Sequence, residues 1–305
     1  MPSRRKLMMK VEGRFTVRRT SKMTKLISRC FILLSIVLLT ACMPIQAPAA
    51  PSAAAPASGG DTAAVPPGPV AELAGEFELV QLIVDFPPGT WTPAHTHGGM
   101  LLVTVLNGEQ TVRDAQGVET IYKAGESFTE TPGEYLEIGN AGQELVTVSA
   151  VALLPKGATL STTKEGVNTD NAPPGPTTVY KTSLAVTESL GEFDLVQLIV
   201  DFPAGTWTPA HTHGGELLVT VLNGEQTVRD AQGVETIYKA GESFTETPGE
   251  YLEIGNAGQE LVTVSAVALL PKGATLSTTK EGVNTDNAPP GPTTLYKHSL
   301  AANSK

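Results

Sequence analysis

From residue 77 onward, short apolar runs alternate with turn residues, and no segment repeats at helical spacing. The runs predict strands at 77–86, 91–97, 101–106, 110–113, 120–123, 135–138 and 145–154. Asn107-Gly108 reads as a two-residue hairpin, because both positions favour positive φ. Asp114 to Gly117 and Pro132-Gly133 read as further turns. Residues 155–178 are polar and rich in Pro and Gly, and predict a long surface excursion before a short edge strand at 179–181. So many short strands predict an all-β sandwich or barrel.

The same pattern is then written a second time. Residues 75–184 and 191–300 align at an offset of 116 and differ only at Glu78/Asp194, Pro88/Ala204, Met100/Glu216, Val179/Leu295 and Thr182/His298. A unit of this length is too long for a solenoid repeat and suits one small domain. The chain therefore predicts two tandem, nearly identical domains, 75–184 and 191–300, which are a candidate intramolecular pseudo-dimer.

The front of the chain reads differently. Residues 31–41 (FILLSIVLLTA) form an apolar run behind a basic stretch. That length suits a signal-peptide core and is short for a bilayer span. The run ends in Leu39-Thr40-Ala41-Cys42, which resembles a bacterial lipobox. The resemblance implies cleavage before Cys42, acylation of its sulfur, and residues 1–42 as a lipoprotein signal including that Cys. The expected location is the bacterial cell envelope, anchored to the outside of the cytoplasmic membrane or to an outer membrane. Met23 is an alternative start that gives a more usual signal. Residues 43–74 read as a flexible tether, with nine Ala and seven Pro within 43–70. Cys30 falls in the removed part, so no disulfide is expected. Beyond residue 42 the chain has 11 basic and 30 acidic side chains, a net charge of −19. Such acidity repels phosphates and argues against nucleic acid as a partner.

Four of the five histidines fall into one motif, Gly-x5-His-x-His-x10-Gly, present in both copies. It comprises Gly89, His95, His97 and Gly108, then Gly205, His211, His213 and Gly224. Histidines at i and i+2 on a strand share a face and can chelate one divalent metal, or form a hydrogen-bonded structural pair. The run PxGTWTPAHTHGG…VTVLNGE resembles the first motif of the cupin family. KAGESFTETPGEYLEIGN, with Gly125, Pro132, Gly133 and Asn140, resembles its second motif. The resemblance implies a double cupin, a jelly-roll β-barrel in each half. It also implies a metal held by both histidines of the first motif, a Glu four residues after the second, and a His in the second motif.

The chain departs from that ligand set at two positions. Leu101 and Leu217 stand at the Glu position, and Leu136 and Leu252 at the second-motif His position. The loss argues against strong catalysis. Glu216 is a candidate replacement ligand, because Gly214-Gly215 permits a bulge that would turn it inward. Met100 occupies the matching place in the first copy, so the second barrel is expected to be the better site. Gln110 and Gln226 are expected to face inward. Trp91 and Trp207 are expected to share a face with the histidines, as a stacking platform or as core packing. With Leu136 and Leu252 these form the expected ligand pocket. His298 is expected to be an exposed surface residue.

No G-x-S-x-G, free mature Cys or Gly-rich phosphate loop is present. The expected function is an extracytoplasmic, membrane-anchored double cupin. It would bind a small molecule, with one divalent metal (Zn, Mn, Fe, Ni or Cu) per barrel, and without strong catalysis. Two alternatives stay open. One is a metal-dependent enzyme of dioxygenase or decarboxylase type; the other is a structural surface protein with a relic site.

Overall fold

A computed structural model describes residues 76–168, 175–186, 191–282 and 291–302. The signal-like segment with Cys42 and the tether 43–74 lie outside the described residues. Among the described residues there are strands and turns and no helix. The first repeat contains β1 (Phe77–Phe86), β2 (His95–His97), β3 (Met100–Asn107), β4 (Glu109–Arg113) and β5 (Glu119–Lys123). It continues with β6 (Ser127–Glu130), β7 (Glu137–Gly139), β8 (Val146–Pro155), β9 (Ser161–Thr163) and β10 (Thr177–Val186). The second repeat follows the same plan. Its strands are β11 (Phe193–Phe202), β12 (His211–His213), β13 (Glu216–Asn223), β14 (Glu225–Arg229) and β15 (Glu235–Lys239). Then come β16 (Ser243–Glu246), β17 (Glu253–Gly255), β18 (Val262–Pro271), β19 (Ser277–Thr279) and β20 (Thr293–Ala302).

Each repeat is a jelly roll of two antiparallel layers. One layer has the order β10-β1-β8-β3-β6. The other joins β5-β4-β7 to β2-β9 through an isolated bridge between His95 and Leu136. Between the layers lies an apolar core that includes Val80, Leu82, Phe86, Val103, Phe128 and Val148. The equivalent core of the second repeat includes Val196, Leu198, Phe202, Val219, Phe244 and Val264.

The large sheet is apolar on both faces, which explains why β1 and β8 read as nearly continuous hydrophobic runs. Its outer face packs against the outer face of the other repeat's large sheet. Phe77, Leu79, Leu102 and Val151 meet Phe193, Leu195, Leu218 and Val267 in one shared core. At about 1.5–3 kcal/mol per fully buried large side chain, this seam is a major part of the stability. At its centre lies a reciprocal polar network. Gln81 Nε2 donates to Ser265 Oγ (2.6 Å) and Thr220 Oγ1 donates to Gln81 Oε1 (2.6 Å). Gln197 Nε2 donates to Ser149 Oγ (2.8 Å) and Thr104 Oγ1 donates to Gln197 Oε1 (2.7 Å). The bonds exchange under the 116-residue offset, the signature of an isologous contact. The two domains thus form an intramolecular pseudo-dimer.

Several expectations need correction. His298 is half-buried at this seam rather than exposed. Its Nε2–H donates to Gly125 O (3.0 Å), so its Nδ1 accepts from the Ser127 hydroxyl (3.0 Å). Asn107-Gly108 is not a hairpin: β3 and β4 belong to different sheets, and the chain crosses between layers at Gly108 with φ +78°. The Asp114 turn does close a hairpin, β4 to β5, with Asp114 Oδ1 accepting from the Gln116 and Val118 N–H groups. Residues 155–178 are not wholly a surface excursion. Leu160, Ser161 and Thr163 are buried, because β9 pairs with the histidine strand β2. Strand β6, absent from the sequence-predicted set, pairs with β3.

Candidate metal centre

Strand β2 is only three residues long, since Pro93 interrupts the expected longer run. It lies between β9 and Leu136, which hold its backbone from both sides. This fixes His95 and His97 on one face, pointing into the barrel. Both are buried, with ring centroids 4.9 Å apart and planes at 83°.

The third member comes from across the barrel. Glu130 ends β6 and is 6% exposed. Its Oε2 lies 3.2 Å from His97 Nε2 and 3.8 Å from His95 Nε2. In the β3–β6 register Glu130 stands directly opposite Leu101. Directly opposed residues share a face, with Cβ atoms about 5 Å apart. The carboxylate missing from position 101 is therefore supplied by its cross-strand neighbour. The second repeat repeats this with His211, His213 and Glu246, at 3.9 Å and 3.2 Å.

The outer hydrogen bonds set the chemistry. His95 Nδ1 lies 3.0 Å from Pro93 O, and His97 Nδ1 lies 2.7 Å from Leu160 O. A carbonyl oxygen only accepts, so each Nδ1 carries a proton, and in the neutral ring each Nε2 lone pair faces the barrel. His211 and His213 make the same bonds to Pro209 O and Leu276 O. Burial lowers the His95 pKa below its ordinary 6.5, against the opposing pull of Glu130. Burial pushes the Glu130 carboxyl up; positive charge on the protonated His97 and His95 rings and a hydrogen bond from His97 pull it down, and the balance lies below its ordinary 4.5. His211 and Glu246 shift in the same directions for the same reasons. Two Nε2 lone pairs and a carboxylate oxygen thus converge in a buried space, all within 4.8 Å of one another. With the imidazoles neutral, three acceptors face one another and repel unless a metal ion sits among them or, in the metal-free protein, a proton on His97 Nε2 bonds Glu130 Oε2 across 3.2 Å. The Nδ1–carbonyl bonds are the outer support usual for metal-bound histidine. The donor set fits a divalent ion.

The ligand atoms face a cavity of about 90 Å³ in each barrel. Leu82, Phe86, Val103, Ile138, Val148 and Leu160 supply most of the first cavity's apolar wall. The residues lining the second cavity are the same types at the 116-residue offset.

The other sequence-predicted site residues lie elsewhere. Glu216 starts β13 on the face of Leu218, toward the seam, while Leu217 and Val219 face the barrel. Gly215 makes no inward bulge; it lies so close to β18 that a Cβ would stand 1.9 Å from Leu269 O. The third carboxylate of the second barrel is Glu246, and the first barrel has its equal in Glu130. Trp91 does not line the cavity. The irregular stretch around Pro93 puts Thr92 there instead, and Trp91 stacks between Gly139 and the Arg113 guanidinium, 4.1 Å from its ring centroid. Trp207 sits likewise under Arg229. Gln110 and Gln226 are fully buried, donating to Gly139 O and Gly255 O, with each Oε1 unpaired and none of these atoms in the cavity wall. Leu136 and Leu252 belong to the apolar core beside the histidines rather than to the wall. Glu130 and Glu246 were missed by sequence reasoning. The available signal was the alternation in Ser127-Phe128-Thr129-Glu130, which places Phe128 and Glu130 on one inward face.

Comparison with known proteins agrees with this architecture. Residues 82–152 and 198–268 match the family model of the cupin domain. In fold the chain is a tandem pair of cupin-type barrels. Among solved structures it resembles vicilin from Solanum melongena, at 9% identity over 66% of this chain and 77% of that one, with a TM-score of 0.51. It also resembles the oxalate decarboxylase of Bacillus subtilis, a protein with Mn(II) centres, at 13% identity over 67% and 71%, with a TM-score of 0.45. At such identities these likenesses concern the fold alone. No curated protein matches the chain in sequence.

Proposed function

We propose that each barrel holds one divalent metal ion through two histidines and one glutamate, and binds a small molecule beside it. His95, His97 and Glu130 hold the first ion; His211, His213 and Glu246 hold the second. The carrying observation is the convergence of two imidazole Nε2 atoms, each with its Nδ1–H bonded to a backbone carbonyl, and one carboxylate oxygen within 4.8 Å of one another. A closed structural site would use four protein ligands, whereas three leave positions open to a ligand. When bound, the ion supplies Lewis acidity beside an apolar cavity. The protein's own residues orient the two imidazoles, keep Glu130 ionised and restrict water. This favours a metal-dependent binding or catalytic site over a relic. Elemental analysis of chain purified without a His tag or chelator is expected to give two equivalents of metal. No metal, together with only millimolar affinity on titration, would refute the reading.

The proposed setting is the cell envelope, with the pair of barrels tethered to a membrane through acylated Cys42. What supports it is the apolar run 31–41 ending in Leu-Thr-Ala-Cys, followed by an Ala/Pro-rich stretch.

A further inference from the structure

The cavity carries information about its ligand's charge. Apart from His95, His97 and Glu130, the polar side chains lining the first cavity are Thr92, Ser161 and Thr178, all uncharged. The second cavity has Thr208, Ser277 and Thr294 in their places. Among the described residues no Lys or Arg lines either cavity. The Arg113 guanidinium is committed to Glu119, Glu137 and the face of Trp91.

A divalent ion, one carboxylate and two neutral imidazoles leave one net positive charge in a buried space. A monoanionic ligand brings that to zero. A dianion leaves a net negative charge with no cationic side chain to face it, and burying an unpaired charge is strongly unfavourable. A neutral ligand leaves the positive charge uncompensated. Size adds a second limit. An apolar cavity of about 150 Å³ admits a benzene, so about 90 Å³ suits a smaller body.

We infer that each barrel takes a small monoanion that meets the ion through its oxygen atoms and rests a short apolar chain against Leu82, Phe86 and Val148. A short-chain 2-oxo or 2-hydroxy carboxylate is the chemical class. The inference rests on the metal reading above.

The test uses the full-length protein loaded with Co(II), whose visible absorption reports changes at the ion. It is titrated with 2-oxobutyrate and with oxalate, and aqueous Co(II) is titrated in parallel to give each ligand's intrinsic preference. The oxalate-to-2-oxobutyrate affinity ratio is expected to fall at least tenfold in the protein relative to water. In Thr178→Lys with Thr294→Lys, which adds a cation at each cavity wall, the ratio is expected to rise back by a similar factor. A ratio equal to that in water, or one insensitive to the added lysines, overturns the inference while leaving the metal reading standing. Failure to bind Co(II) at all overturns both.

Discussion

Replacing Glu130 by Gln removes the charge of the third ligand while keeping its volume and one oxygen donor. A unit negative charge about 4 Å from a divalent ion contributes roughly 8 kcal/mol at an effective dielectric of about 20. Relief of the carboxylate's own burial cost, several kcal/mol, offsets much of that. The remainder is about 3 kcal/mol, or about 100-fold in affinity. The two cavities have the same lining, so Glu130→Gln should weaken one of two equal sites and leave the other untouched. Isothermal titration with Zn(II) should then show one tight and one weak equivalent. Glu246→Gln should give the mirror result, and the double variant should retain no tight site. Glu216→Gln should behave as wild type, because that side chain is on the seam face of β13. Two undiminished tight sites in Glu130→Gln, or a lost site in Glu216→Gln, would refute the assignment.

Three further outcomes are expected. Gln81→Leu removes the buried amide that bonds both Ser265 and Thr220, leaving them the Ser149 and Ser243 hydroxyls. It should cost about 1–3 kcal/mol, read as a lower Tm by calorimetry, and Gln197→Leu should match it; an unchanged Tm in both would discount the seam network. The metal-free protein should lose stability on acidification. His95, His211, Glu130 and Glu246 all have folded pKa values depressed below their ordinary 6.5 and 4.5. Their contribution is whole above the unfolded values and is lost as pH falls, first below about 6.5 for the histidines and then below about 4.5 for the glutamates. Denaturant midpoints that stay flat between pH 7.5 and pH 4 would contradict this. Finally, Cys42→Ala should abolish labelling of the expressed protein by a radioactive fatty acid, and persistent labelling would rule out the lipobox assignment.

Period-two alternation and the near-perfect repeat are local properties of the chain. They were enough to establish an all-β tandem and to place His95 and His97 on one face, since a strand's geometry alone directs i and i+2 together. The resemblance in the Gly-x5-His-x-His run carried the jelly roll. What the sequence could not supply was register. Glu130 lies 33 residues from His97 and becomes its neighbour only because β6 pairs with β3 opposite Leu101. Trp91 looked like a cavity residue by alternation, but the irregular backbone around Pro93 turned it onto Gly139 and Arg113. His298 looked like a surface residue until β20 brought it against Gly125 and Ser127 of the other repeat. Glu216, next to two glycines and three residues from His213, was the nearer carboxylate in sequence and the wrong one in space. Strand order and the packing of one sheet on another are decided by burial summed over the whole chain. Ligands contributed from different strands are therefore a property of the tertiary structure alone.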